Sequence, residues 1–303
     1  MLRKLFKLYL SPVAAASFWA MSFIWYKMAY ESFQPMTVIF FRQLFSALLL
    51  IFIGKFFSKI MKLRREDIKI LFLLSFFQPL CYFIGESYGV KFVSSSVAAI
   101  IISTIPVFTP FFGKIFMKEK ISFFNYAGLF LSFIGIVLMV VNRDFSFDAH
   151  TGGVLLMFLA VFSAIGFAIT AGNLTRIYNT FTIVTWQNIF GSLMFLPIFF
   201  IVDFDHISSA QISFSSVKAI IYLTVFASIT AFFCFLRSVR ELGVTKTNVF
   251  INLIPVITAL AAWILLDEEF SALKLSGMIV VICGLFISQK KRNTAPDKLV
   301  KLK

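Results

Sequence analysis

Cysteine and histidine are scarce in this chain, and their positions exclude two kinds of site. The three cysteines all lie inside apolar runs, so neither a disulfide framework nor a zinc site is expected. The two histidines, His150 and His206, lie in polar stretches and supply almost no material for a histidine metal centre. A phosphate-binding loop of the Gly-x-x-x-x-Gly-Lys type is also missing. We therefore predict neither a cofactor nor a metal.

Charged residues are also scarce, at 14% of 303 residues, whereas hydrophobic residues reach 60%. The mean hydropathy is +0.93. A soluble domain with this composition would expose large apolar patches, so the composition predicts an integral membrane protein. The net charge of +14 would suit a nucleic-acid partner only if it were concentrated on one soluble surface.

Ten apolar runs are long enough to cross a bilayer as helices. We predict spans at about 10–30, 36–56, 68–89, 94–115, 121–141, 152–173, 181–202, 217–238, 245–265 and 271–289, followed by a basic tail at 290–303. The first run resembles a secretory signal at its start, but its length fits a span. The predicted fold class is an all-α membrane protein.

The fourth and fifth spans recur as the ninth and tenth. Nine identities, each separated by 149 positions, pair Ile105, Pro106, Val107, Thr109, Ile115, Glu119, Ser122, Gly128 and Gly135 with Ile254, Pro255, Val256, Thr258, Ile264, Glu268, Ser271, Gly277 and Gly284. The repeat extends to the second and seventh spans, where residues 37–45 align with 182–190. We divide the chain into two repeats of five spans, residues 1–145 and 146–289. Because five is odd, the repeats insert in opposite directions.

The distribution of positive charge predicts the orientation of the chain. With the N-terminus inside, the inner segments hold 22 of the 28 Lys and Arg residues, and the outer segments hold five. This asymmetry predicts that both termini are cytoplasmic. The basic charge therefore belongs to the cytoplasmic membrane face, and no nucleic-acid partner is expected.

Each repeat has a proline in the middle of its fourth span, Pro106 or Pro255. Proline removes a backbone donor and displaces a carbonyl, which in a membrane must face protein or a wet cavity. Both repeats place a polar residue beside that carbonyl, Ser103 and Asn252. Interrupted helices at matching positions of two halves indicate a transport site. The alternative is that both prolines only kink the helices for packing.

The third span places Gln78, Tyr82 and Glu86 four residues apart, on one helical face. Ionisable residues inside spans usually face a cavity and serve a pathway. Arg42 and Lys27 lie at comparable depth, so we expect Glu86 to pair with one of them and to act in gating, substrate binding or proton coupling. The alternatives are a structural ion pair and a Lys27 that only reaches the interface.

Other polar residues inside spans are further candidates for the substrate pathway. Trp19 and Ser22 share a face of the first span, Thr170 lies on a small-residue stripe of the sixth, and Asn248 precedes Asn252 by one turn. Close helix packing is the alternative for Thr170, and interhelical hydrogen bonding is the alternative for the asparagines.

Small residues in the fifth and tenth spans predict a tight packing seam. They are Gly128, Ser132 and Gly135 in the fifth span and Gly277 and Gly284 in the tenth. We assign these residues to assembly and not to ligand contact.

With these residues in place, the chain resembles the drug/metabolite transporter superfamily, in its ten-helix EamA-type branch. The resemblance is carried by the doubled five-span pattern, by Arg42, by residues 89–96 and by the two Pro…Glu…Gly…Gly series that begin at Pro106 and Pro255. It implies a basket of helices around a central cavity lined mainly by spans 1, 3, 4, 6, 8 and 9. It also implies alternating-access movement of small organic solutes, often amino acids and often outward. Gln187 departs from the symmetry, because it aligns with Arg42.

The function predicted from the sequence is a secondary transporter, an exporter of small organic metabolites in an inner membrane. Its partners are a small-molecule substrate and the bilayer, with protons and a homodimer left open. Uncoupled facilitation of neutral metabolites is an alternative. An intramembrane enzyme or a membrane scaffold is disfavoured, because no HExxH, paired-Asp or His–Ser constellation is present and the loops between spans are short.

Overall fold

The computed structural model describes residues 2–92, 101–118, 122–140, 151–207, 211–266 and 272–288, and within these ranges the regular secondary structure is helical. In the first half, α1 spans Leu2–Tyr30 and α2 Pro35–Phe56, α3 has the parts Ile68–Ser75, Phe76–Cys81 and Tyr82–Phe92, α4 spans Ile105–Met117 and α5 Phe123–Val140. In the second half, α6 spans Thr151–Leu174 and α7 Thr180–Val202, α8 has the parts Phe214–Tyr222, Leu223–Thr230 and Ala231–Leu242, α9 has the parts Val244–Asn248, Val249–Asn252 and Leu253–Leu266, and α10 spans Ala272–Ser288. A short helix, Phe204–Ile207, follows α7.

Within the described ranges, five helical stretches are long and apolar enough to cross a membrane by length and composition alone. They are Pro35–Phe56, Arg65–Gly89, Thr151–Leu174, Thr180–Val202 and Phe214–Leu242. Shorter apolar helices occur at Ile105–Met117, Phe123–Leu138, Val244–Thr258 and Leu275–Ser288. The predicted basic tail and the turn residues 119–121 and 267–271 lie outside the described residues.

The helices pack in pairs that repeat between the two halves. The contacts of α3 with α6 are matched by those of α8 with α1, and the contacts of α4 with α6 by those of α9 with α1. Two further pairs, α2 with α7 and α5 with α10, join equivalent helices of the two halves. Exchanging the halves therefore leaves the packing scheme unchanged, as expected for an inverted repeat.

The α5–α10 pair contains the seam predicted from the small residues, and the structure confirms it. A Cβ added at Gly135 would lie 2.7 Å from the carbonyl oxygen of Gly277. At Gly284 it would lie 2.5 Å from the backbone nitrogen of Ser132 and 2.6 Å from the carbonyl oxygen of Gly128. Only hydrogen atoms at these positions allow the two backbones to come this close.

Both interruptions predicted from the repeated proline are present. A turn at Ser103 and Thr104 precedes α4, and Pro106 occupies the first turn of that helix, where its missing N–H costs no helical hydrogen bond. In α9, the residues Val249–Asn252 form a 3₁₀ segment before the α-helix resumes and passes through Pro255. The predicted interruptions are therefore present in both halves.

Two further irregularities were not predicted, since the third and eighth spans were treated as continuous helices. The middle part of α3, Phe76–Cys81, is π-helical and contains a non-helical Gln78 with φ −146° and ψ 116°, next to Pro79. The middle part of α8, Leu223–Thr230, is also π-helical. These are equivalent helices of the two halves, so the irregularity is itself duplicated.

Polar contacts join the two halves at both ends of the bundle. We call the end at which α1 begins the N-terminal face and the other end the far face. At the far face, Asp203 Oδ2 accepts from the backbone N–H of Thr37 at 2.8 Å and from its hydroxyl at 3.1 Å. At the N-terminal face, the Tyr178 hydroxyl donates to Asp67 Oδ2 at 2.5 Å and accepts from the backbone N–H of Arg64 at 3.1 Å. Burial raises the pKa of Tyr178.

Candidate functional site

A cavity lies between the two halves, with walls from α1, α2, α3, α4, α6, α8 and α9. Its volume is about 70 Å³. Seven residues proposed from the sequence line it: Trp19, Ser22, Arg42, Gln78, Tyr82, Glu86 and Asn248. The structure adds Phe23, Tyr26, Phe83, Ile102, Ile105, Ala164, Phe167, Phe232, Phe235, Ile251 and Ile254.

Arg42 is the most extensively held charged group of the cavity. It is 2% exposed, and its Nε donates to Ser228 Oγ at 2.7 Å. Its Nη1 donates to the hydroxyl of Tyr26, and its Cζ lies 4.6 Å from the ring centroid of Phe83. These contacts come from α1, α3 and α8, so the guanidinium links both halves around the cavity. Hydrogen bonds and ring contacts of this kind compensate for removing the charge from water.

Glu86 is half-buried, and its Oε1 accepts a hydrogen bond from the Tyr82 hydroxyl at 3.0 Å. Arg42 and Glu86 line the same cavity but form no salt bridge, which corrects the expected pairing of these two residues. The reason is geometric: the guanidinium of Arg42 is directed to Ser228 and Tyr26. The side chain of Lys27, the other expected partner, lies outside the described residues.

Aromatic rings form the part of the cavity nearer the N-terminal face. The ring of Trp19 lies 5.3 Å from those of Phe232 and Phe235, centroid to centroid. Phe167 lies 5.6 Å and 6.0 Å from the same two phenylalanines. Tyr26 follows Trp19 by two helical turns and bonds Arg42, so the cluster of Trp19, Phe167, Phe232 and Phe235 lies nearer the N-terminal face than Arg42 does.

Asn248 and Asn252 differ in their relation to the cavity. Asn248 is 1% exposed and lines the wall; its Nδ2 donates to Thr109 Oγ1 at 2.9 Å, while its Oδ1 has no partner among the described residues. Asn252 is fully buried away from the cavity wall, and neither side-chain polar atom has a partner within the described part of the chain. A buried acceptor without a partner is costly, so a donor that reached Asn248 Oδ1 would stabilise it.

Several residues proposed for the pathway do not line the cavity. Ser103 and Thr170 are buried elsewhere, and the hydroxyl of Thr170 donates to the carbonyl of Gly166 at 2.7 Å in its own helix. This correction follows the usual behaviour of hydroxyls in helices, which bond the carbonyl one turn back. Neither Pro106 nor Pro255 reaches the wall, but the residue before each, Ile105 and Ile254, does.

The two π-helical segments receive equivalent contacts from different residues. Arg42 of α2 donates to Ser228 in the π segment of α8. The aligned Gln187 of α7 donates from Nε2 to the carbonyl oxygen of Gln78, in the π segment of α3, at 3.3 Å. The sequence contained one signal for this arrangement, the helix-breaking Pro79. Ser228 carries no such signal, because a single serine in a membrane span does not indicate a π segment.

Comparison with known proteins agrees with the fold. Residues 7–141 and 151–289 each match the EamA-like transporter family. An uncharacterized transporter of Archaeoglobus fulgidus is 24% identical over 282 residues, which cover 91% of this chain and 96% of the relative. The uncharacterized transporter YdfC of Bacillus subtilis is 24% identical over 300 residues, covering 97% and 94%. A crystal structure with a TM-score of 0.79 and 12% identity covers 93% of this chain and 98% of its own.

Duplicated halves around a central cavity define the class of the molecule as a multi-pass membrane transporter. The chain belongs to the EamA-like transporter family, which matches both of its halves.

Proposed function

We propose that this protein is a secondary transporter that exports small organic metabolites, such as amino acids, by alternating access. The observation that carries the proposal is the cavity enclosed between two inverted halves, lined by interrupted helices of each. A site at the interface of inverted repeats can be exposed to either side in turn when one half rocks against the other. The mixture of aromatic rings, two amides and two charged groups suits an amphipathic or zwitterionic solute.

The proposed moving units are the two repeats, residues 1–145 and 146–289. The contacts between Thr37 and Asp203 at the far face, and between Tyr178 and Asp67 at the N-terminal face, join one repeat to the other. Each contact consists of one or two hydrogen bonds, which are individually small on the scale of a conformational equilibrium. Breaking either set while keeping the other would open one face of the bundle at a time.

The proposed location is an inner membrane with both termini in the cytoplasm. Support comes from the Lys and Arg residues, 22 of which fall in segments on the side of the N-terminus. In this orientation the aromatic part of the cavity lies toward the cytoplasm, and the part with Arg42 and Glu86 lies toward the outside.

Glu86 is the proposed coupling residue. It is an ionisable side chain on the cavity wall, and the only bond that fixes it among the described residues comes from Tyr82. A carboxyl group held this loosely can exchange a proton with the cavity as the two faces open in turn. Uncoupled facilitation is the second candidate, because Arg42, the nearest described cation of the cavity wall, is already held by Ser228 and Tyr26.

The test is flux of radiolabelled amino acids in proteoliposomes, with and without an imposed pH gradient. We expect flux that increases with the gradient, and a Glu86→Gln variant that transports without responding to it. Glu66→Gln, in the exposed segment before α3, is the matched control. A gradient response that survives in Glu86→Gln contradicts the coupling role. Chemical turnover of a solute without net movement contradicts the transporter and favours the enzyme.

A further inference from the structure

A second cavity lies at the N-terminal face, separate from the central one. It is formed where α4, α6 and α8 end and α9 begins, and its volume is about 120 Å³. No residue of its wall also lines the central cavity. The wall combines apolar side chains, including Met117 of the first half and Val239 and Val244 of the second, with two arginines.

The two arginines reach the cavity from different helices. Arg176 follows the end of α6, and Arg240 lies in the last turn of α8. Neither guanidinium makes a hydrogen bond or a salt bridge to another residue of the described chain. The contrast is Arg237, one turn before Arg240, which forms a salt bridge with Glu241 at 3.0 Å.

Two unpaired cations on one small cavity repel each other unless an anion lies between them. Both guanidinium groups are exposed, so an anion can reach them from the water phase. Guanidinium groups match the oxygens of phosphate by paired hydrogen bonds, and they hold this geometry better than lysine does. The backbone of Gly243, with φ 87°, makes the tight turn that places the start of α9 against the end of α8.

We propose that this cavity binds a phosphate group between Arg176 and Arg240. The phosphate would come from the headgroup of an anionic phospholipid or from a free phosphate compound, since the chemistry of recognition is the same. The wall also includes Met117 of the first half, so a ligand that fills this cavity contacts both halves at the N-terminal face. In terms of the proposed function, on which this step rests, the ligand stabilises the state closed at that face.

The binding experiment uses the full-length protein, purified free of lipid in neutral detergent. Thermal unfolding is measured with inorganic phosphate, with phosphatidylglycerol micelles and with phosphatidylcholine micelles, and native mass spectrometry counts the bound phosphatidylglycerol. The variants are Arg176→Gln, Arg240→Gln and Arg240→Lys, with Arg237→Gln as the matched control. Both target side chains are exposed, and the melting temperature without ligand shows that each variant folds.

Stabilisation by phosphatidylglycerol or by phosphate, but not by phosphatidylcholine, supports the site and identifies the source. We expect each glutamine variant to weaken binding by about tenfold or more, because one charge-assisted contact is lost. Arg240→Lys should bind with intermediate affinity, and Arg237→Gln should bind as the wild type does. If neither phosphate nor phosphatidylglycerol binds, or if Arg237→Gln loses as much as the other variants, the proposal is overturned. Binding without any effect on flux leaves the site in place and overturns only its link to transport.

Discussion

Arg42 and Ser228 belong to opposite halves of the chain, and the Nε of Arg42 donates to Ser228 Oγ at 2.7 Å inside the bundle. The aligned position in the second half, Gln187, makes a neutral bond to the backbone of Gln78 instead. The duplicated scaffold has therefore kept the contact between a second helix and a π segment while changing its chemistry. Of the two aligned residues only Arg42, in the first half, is charged, so the two halves present different groups to the central cavity.

Replacing Arg42 tests whether its geometry or its charge is required. Arg42→Lys keeps a buried cation, but a single ammonium group cannot bond Ser228 and Tyr26 in the geometry of the two guanidinium nitrogens. Arg42→Gln instead introduces the neutral side chain that Gln187 provides at the aligned position of the second half. We expect the lysine variant to lose about 3–5 kcal/mol of stability and to unfold at a lower temperature than the glutamine variant. Thermal unfolding in detergent measures the relative stabilities of the two variants. Ser228→Ala is the smaller perturbation, and a lysine variant as stable as the wild type would contradict the prediction.

The seam between α5 and α10 predicts a steric limit. Gly135→Ala places a methyl group 2.7 Å from the Gly277 carbonyl oxygen, so the two helices must separate. We expect a loss of stability of about 1–3 kcal/mol, as for overpacked interiors, and a lower yield of monodisperse protein. Size-exclusion chromatography and thermal unfolding measure it. The control is Phe130→Leu, at a position of α5 that is 66% exposed. Equal losses of stability in both variants would contradict the steric limit at Gly135.

The aromatic end of the cavity predicts a role in selecting the solute. Trp19→Ala enlarges the cavity beside Phe232 and Phe235, so transport should shift toward bulkier solutes. Competition by a series of amino acids of increasing side-chain size measures the shift. Trp25→Ala is the control, because Trp25 packs on Tyr222 and Phe226 and does not line the cavity. We expect both variants to lose stability, about 3–5 kcal/mol for a buried tryptophan, but only Trp19→Ala to change the order of competition.

The contact between Tyr178 and Asp67 predicts a dependence of stability on alkaline pH. Because the pKa of Tyr178 is raised in the folded protein, its contribution is present below the unfolded pKa of about 10 and is lost as the pH rises toward the folded value. Wild-type protein should therefore lose stability more steeply than Tyr178→Phe above about pH 10.

Melting temperatures of both proteins between about pH 7 and 11 provide the comparison. At neutral pH, Tyr178→Phe should be less stable by about 1–3 kcal/mol, since it leaves the carboxylate of Asp67 without its donor. Parallel pH curves for the two proteins would show that the hydroxyl does not titrate with unfolding. Tyr9→Phe, at the ring that packs on Phe250, is the matched control.

The membrane class, the duplication and the two proline interruptions could all be predicted from the amino-acid sequence. Apolar length, repeat register and the missing N–H of proline are properties of the chain itself, and they hold wherever neighbouring helices lie. Residues of the candidate site could also be predicted from the sequence where helical periodicity determines which side chains share a face. Tyr82 and Glu86 share a face because their four-residue spacing matches the helical turn, and both line the cavity. Gln78 lines it as well, but from the π segment that the spacing did not predict.

The partners of these residues depended on the packing of the helices. The hydroxyl of Ser228 meets Arg42 because a π segment of α8 lies against α2, and Phe232 and Phe235 meet Trp19 across 213 and 216 residues of chain. Asn252 and Thr170 carry the same chemistry as Asn248 and Ser22, but their positions in the bundle direct them away from the wall. A residue type and its helical face limit what a side chain can do, whereas the neighbouring helices decide which group it contacts.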